Sequence, residues 1–133
     1  KLGLESYVKF EGYKDMSKIP SYLSISNICL SPLTRNIHHD TTYANKIFQY
    51  MSFGVPVLVS DCLAQKNIVE YSKSGLVHQA EDPDDLANKV LYLYNNPEKS
   101  FKLGLNGKTF IQNEFNQNVT SNELLSIYET IKR

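Results

Sequence analysis

The sequence predicts an α/β fold, a parallel sheet with helices on both faces. Three observations carry that reading. Short apolar runs bounded by turn residues recur at 27–30, 56–60 and 76–78, as the buried strands of a parallel sheet do. Stretches of helical spacing lie between them, so strand and helix alternate up to Tyr94. Hydrophobic residues make up 41% and charged residues 21%, which suits one packed core rather than a disordered chain. At 133 residues the whole of 1–133 reads as one domain.

Taken in order, Tyr7-Val8-Lys9-Phe10 is a first strand candidate, closed by Gly12. A helix follows from about Asp15, with Pro20 confined to its first turn and Tyr22, Leu23 and Ile25 beyond. Asn27-Ile28-Cys29-Leu30 is a second strand, ended by Ser31-Pro32. A long polar loop over 34–42 then holds Arg35, His38, His39 and Asp40, and loops of that length often carry function.

The central stretch comes next. Ala44, Ile47, Phe48 and Met51 fall at i, i+3, i+4 and i+7, which predicts a helix over about 43–53. Asn45, Gln49 and Ser52 take its opposite face. Gly54 stands where a C-terminal cap belongs, and Pro56 follows where no helix continues. Val57-Leu58-Val59 is then an inner strand.

Gln65 to Lys73 reads as a helix ended by Ser74-Gly75, and Leu76-Val77-His78 as a fourth strand. Asp82-Pro83-Asp84-Asp85 opens a further helix, with an Asp cap, Pro at the first position and acid in the first turn. Leu86, Val90 and Leu93 make its buried stripe. Asn95-Asn96-Pro97 breaks it, and another helix runs from Pro97 to about Phe115, weakened by Gly104 and Gly107. Thr120-Ser121-Asn122-Glu123 reads as a capping box before a last stripe of Leu124, Ile127, Tyr128 and Ile131.

Several function classes lose ground on composition. Lys+Arg 14 balances Asp+Glu 14, so nothing favours nucleic acid or an anionic membrane surface as partner. Cys29 and Cys62 give neither metal spacing nor a disulfide framework, and read as reduced structural thiols of a cytosolic protein. No apolar run approaches the ~18 residues of a membrane span, and no signal peptide opens the chain. The opening Lys1-Leu2-Gly3-Leu4, without Met, reads as a helix end within a longer protein. His38 and His39 are adjacent, with no third ligand spaced to help, so a metal site is not expected there.

What remains is the central helix. A helix N-terminus presents unpaired N–H groups and the positive end of a dipole, a natural seat for a phosphate. In parallel sheets ligands bind at the carboxyl ends of the strands, the edge from which the loops after Phe10 and Leu30 leave.

The runs V-K-F-E-G at 8–12, N-K-I-F-Q-Y-M-S-F-G-V-P-V-L-V-S-D at 45–61, I-V-E-Y-S-K-S-G-L-V at 68–77 and E-D-P-D-D-L-A at 81–87 follow one another in an order that resembles a known family. Together they look like the C-terminal, donor-binding domain of a GT-B glycosyltransferase, in the large retaining family 4 (group 1). The resemblance implies a Rossmann-like half-domain whose N-terminal, acceptor-binding partner lies outside this chain. It implies a nucleotide-diphosphate sugar as substrate, retention at the transferred carbon, no cofactor and no bound metal. It also implies a glycan or lipid-linked acceptor, a part in bacterial surface-polysaccharide assembly, and a cytoplasmic location with room for peripheral attachment at the inner membrane face.

The family's hallmark is a spaced pair of glutamates, the first beside the donor sugar and the second on the ribose hydroxyls. Here the first falls on Thr41 and the second on Gln49, so both acids are missing. Gln49 still offers an amide to ribose hydroxyls, whereas Thr41 cannot carry a charge beside the reacting centre. By position the backbone amides of Tyr43, Ala44 and Asn45 would meet the diphosphate, with Lys46 and Thr42 nearby. Gly12 and Tyr13 resemble the segment bordering the nucleobase. Thr41 and Thr42 equally suit a helix cap, and Gln49 and Lys46 a solvated helix face. No catalytic residue is assigned.

Two other readings stay open. A sugar-nucleotide epimerase shares the architecture but would need acid–base carboxylates and histidines across the cleft, and no such motif is present. A non-catalytic α/β interaction domain would want an acidic pocket at the strand ends, where Arg35, His38 and His39 surround one Asp.

Overall fold

A computed structural model describes residues 3–131. Its sheet has three parallel strands in the order β1 (Cys29–Ser31), β2 (Val57–Ser60), β3 (Gly75–His78). The register sets Leu30, Leu58 and Leu76 side by side, and Cys29, Val57 and Gly75 likewise. Side chains alternate along a strand, so the leucines share one face and Val57, Val59 and Val77 the other.

The valine face carries most of the core. Ile47 and Met51 of α3 (Asn45–Ser52), Val69 of α4 (Leu63–Ser72) and Phe110 of α6 (Pro97–Asn113) pack with Val57 and Val59. Leu23 of α1 (Ile19–Ser24) meets Cys29 and Val55 beside this cluster. On the leucine face, α5 (Pro83–Asn95) buries Leu93 and borders a shallow cleft with Leu76. Leu30, on that face of β1, stays 39% exposed. Helices therefore cover both faces, completely at β2 and incompletely at β1 and β3.

α3 ends as its sequence dictates. Gly54 adopts φ +73°, and the amides of Gly54 and Val55 donate to the carbonyls of Met51 and Tyr50, closing the last turn. The two glycines of α6 are contacts rather than weak points. A Cβ on Gly104 would stand 2.0 Å from the Gly54 carbonyl oxygen, and one on Gly107 about 3 Å from Ser74 and Met51. α6 thus packs onto α3 at a distance only glycine permits.

Four expectations are corrected. Residues 7–10 form no strand: Tyr7 and Phe10 are 84% and 96% exposed, β1 pairs with β2 alone, and the Tyr7 and Val8 amides turn back to the Leu4 carbonyl. The loop over 34–42 contains a short helix, α2 (Ile37–Thr41), because Asn36 Oδ1 accepts the His39 amide as a cap. α4 begins at Leu63, ahead of the expected Gln65, because Asp40 Oδ1 accepts the Leu63 amide at 2.9 Å across the sheet edge. The last helix, α7 (Gln117–Ile131), is opened by Asn116, whose Oδ1 accepts from Asn118 and Val119, so Thr120 lies inside it. Its stripe of Leu124, Ile127, Tyr128 and Ile131 is exposed, with no buried residue in the helix.

Candidate functional site

The β1–α3–β2 unit decides where the site lies. β1 and β2 are parallel, so α3 returns across the sheet with its N-terminus at the carboxyl edge of the strands. Ala44, the residue before α3, is extended (φ −77°, ψ 111°), and no side chain caps the helix. Ile47 donates to the Ala44 carbonyl, while the amides of Tyr43, Ala44, Asn45 and Lys46 find no partner among the described residues. Adjacent free donors stand here at the positive end of an eight-residue helix, an arrangement whose chemistry suits an anion.

The expected residues divide by geometry. Gln49 is exposed one turn along, and its side-chain amide makes no hydrogen bond among the described residues. Lys46 is half-buried and joins no salt bridge among them. Asn45 and Thr42 are exposed at the helix start. The Tyr43 ring meets Phe48 edge-on at 5.9 Å, and Phe48 stacks on Phe115 at 4.3 Å, which anchors the entry to α3. Thr41 ends α2, and its hydroxyl donates to the Ile37 carbonyl at 2.7 Å, turned to its own helix. Gly12 (φ +62°) and Tyr13 lie in the irregular, solvent-facing segment before α1, with open space around Gly12.

The polar loop is committed to structure. Arg35 approaches Asp40 at 3.5 Å and Asp61 at 3.8 Å. Asp40 holds the amide of Leu63, and Asp61 Oδ1 accepts from Ala80 at 3.0 Å. His39 Nδ1 sits 2.7 Å from the Thr34 carbonyl oxygen. Beneath this web lies a fully buried Gln65. Its amide nitrogen contacts the Ser31 and Ser60 carbonyls and the Ser60 hydroxyl, and its oxygen accepts from the Ser31 hydroxyl. It fastens the carboxyl ends of β1 and β2 together under the loop. The only signal of this in the sequence is an amide inside a helix whose other buried residues are Ala64, Val69 and Ser72. Among the described residues no three His, Cys, Asp or Glu side chains group to hold a metal. Nor is any of their helices long and apolar enough to cross a membrane.

Comparison with known proteins fits this geometry. The profile of the Glycosyl transferases group 1 family matches residues 1–96. The amylovoran biosynthesis glycosyltransferase AmsK of Erwinia amylovora is 26% identical over 129 residues, covering 96% of this chain and 32% of that protein. Spore coat protein SA of Bacillus subtilis is 26% identical over 131 residues, covering 93% and 31%. The chain thus spans about a third of the length of the curated relatives it matches. Among solved structures, sucrose-phosphate synthase from Thermosynechococcus elongatus superposes with a TM-score of 0.82 at 24% identity, over 96% of this chain and 31% of that one. HepE from Anabaena, solved in complex with UDP, gives 0.85 at 19% identity, over 96% and 34%. These likenesses show the shared fold.

Proposed function

The chain belongs to the group 1 glycosyl transferases, and from that premise we propose that it is the donor-binding part of a retaining enzyme that moves sugar from a nucleoside diphosphate to a glycan or lipid-linked acceptor. The observation that carries the reading is the uncapped N-terminus of α3 at the carboxyl edge of the sheet, with unpartnered amides over 43–46. In this reading the diphosphate rests on those amides, where charge and donor geometry agree. Lys46 adds a cation from half-buried ground, and Gln49 takes the ribose hydroxyls with an amide that has no other partner. Thr42 borders the donor sugar; Thr41 serves it only after releasing the Ile37 carbonyl. Gly12 and Tyr13 reach the base only if their segment folds over the seat.

The UDP in the HepE complex and the glycan named for the AmsK relative support a uridine nucleotide and a surface polysaccharide. In this reading turnover also needs a further acceptor-binding part, for which the remaining two thirds of the relatives' length leaves room. Location at the cytoplasmic face of a membrane, held peripherally, fits a lipid-linked acceptor.

Calorimetric titration of the natural full-length protein with UDP, GDP and ADP tests the seat. One diphosphate is expected to bind. Gln49→Ala should weaken it by about 3–10-fold, the worth of one or two neutral hydrogen bonds, and Lys46→Ala by more at low salt. Binding unchanged in both variants would remove these residues from the site.

A further inference from the structure

Away from the donor seat, one buried polar side-chain atom has no partner among the described residues: Nε2 of His78. His78 is the last residue of β3 and is 3% exposed. Its Nδ1 lies 2.7 Å from the Gln79 carbonyl oxygen. A carbonyl only accepts, so Nδ1 carries the proton, and in the tautomer this selects Nε2 is an acceptor. An unpaired acceptor in a buried position is costly, and a bound donor would recover that cost.

His78 lines a cavity of about 210 Å³, with Leu33, Thr34, Glu81, Asp82 and Leu86 among the other walls. One water needs only ~10–15 Å³ of such space, so a single water does not fill it. Drug-sized ligands occupy roughly 300–1,000 Å³, so the occupant is about one ring. The walls also select chemistry. Nε2 and the carboxylates of Glu81 and Asp82 all accept, and Thr34 does both. Asp82 already spends Oδ1 on the amides of Asp84 and Asp85, leaving one oxygen outside that cap. Two carboxylates repel phosphate, and no metal-holding group forms among the described residues. Leu33 and Leu86 want carbon rather than water.

We propose that this cavity binds one neutral sugar ring, a hydroxyl donating to His78 Nε2 and the C–H face lying on Leu33 and Leu86. Such a ring supplies several O–H donors, no charge and apolar faces together. The cavity stands at the carboxyl edge shared with α3, since residues 32–34 leave β1 there and His78 ends β3. The ring therefore belongs to the acceptor glycan, a point that rests on the transferase reading, and this domain would contribute an acceptor subsite beside its donor seat.

Saturation-transfer NMR on the natural full-length protein with methyl glucoside, methyl galactoside and methyl mannoside tests this. The same samples are titrated with UDP, and methylammonium serves as a cationic control. At least one glycoside should give a saturable signal that UDP does not displace. His78→Leu, which removes the acceptor, and Leu86→Trp, which fills the space, should each cut that signal at least about fivefold and leave UDP affinity within about twofold. No saturable glycoside, a signal displaced by UDP, binding of methylammonium alone, or a signal untouched by Leu86→Trp would each overturn the proposal. Glycoside binding lost in both variants, in a protein that binds no diphosphate, would uphold the cavity and refute the donor seat.

Discussion

Replacing Gln65 with Leu keeps the volume of a buried side chain and removes its amide. The Ser31 and Ser60 carbonyls then lose the donor that meets each at 3.1 Å, and the Ser31 hydroxyl loses its acceptor at 3.0 Å. The Ser60 hydroxyl has a second outlet in Cys62 Sγ at 3.5 Å, so it is left out of the sum. A buried polar group stripped of its partner costs about 1–3 kcal/mol. The Ser31 carbonyl keeps the Leu33 amide at 3.1 Å, so the Ser60 carbonyl and the Ser31 hydroxyl set the loss at about 2–6 kcal/mol, a large share of the ~5–15 kcal/mol typical of a domain. Urea unfolding reads it as a lower midpoint with an unchanged slope. Gln65→Glu supplies the internal check: a carboxylate would face the same two carbonyl oxygens, so its deficit should grow as pH rises through its ionisation. A Gln65→Leu variant within about 0.5 kcal/mol of the parent would refute the idea that this amide fastens β1 to β2.

Two further outcomes follow from backbone and burial. Lys73 closes α4 in the left-handed region at φ 52°, exposed and without a salt bridge among the described residues. Lys73→Gly should raise stability by about 0.5–1 kcal/mol, read as a higher melting temperature. Burial raises the Cys29 thiol above its ordinary range, against a smaller opposing hydrogen bond with Ser26, and burial raises the nearby Tyr50 phenol as well. Both groups are therefore held neutral in the folded state, so their contribution is complete below the unfolded pKa values and is lost as pH rises through the folded ones. Stability should fall on the alkaline side of the ordinary thiol value of 9.0, and Cys29→Ala should flatten that fall in a pH series of urea midpoints.

What was legible in the sequence is what short range determines. The stripe of α3, its glycine stop and the strand after Pro56 are set by neighbours within a turn or two, and they stand where the spacing puts them. The start of α4 was not legible, because its cap comes from Asp40, 23 positions earlier. The role of Gln65 is hidden for the same reason, since one of its two hydroxyl partners, Ser31, lies 34 positions away. His78 read as one more strand residue, since nothing local says that its second ring nitrogen goes unpaired. Residues 7–10 and the α7 stripe mark the opposite failure. Their patterns promise burial, and no packed surface among the described residues meets them. At the start of α3, the position of the Tyr43, Ala44 and Asn45 amides is legible, while the inward turn of the Thr41 hydroxyl is not.

The contact between Gly104 and Gly54 has a mechanical consequence. Helices joined through side chains can slip, because rotamers exchange and packing yields. Here backbone lies on backbone at the C-terminal end of α3, with no rotamer to give way. The contact should therefore couple α3 to the 17-residue α6, a helix about 25 Å long. A tilt of α6 is then expected to shift the N-terminus of α3, and with it the amides over 43–46.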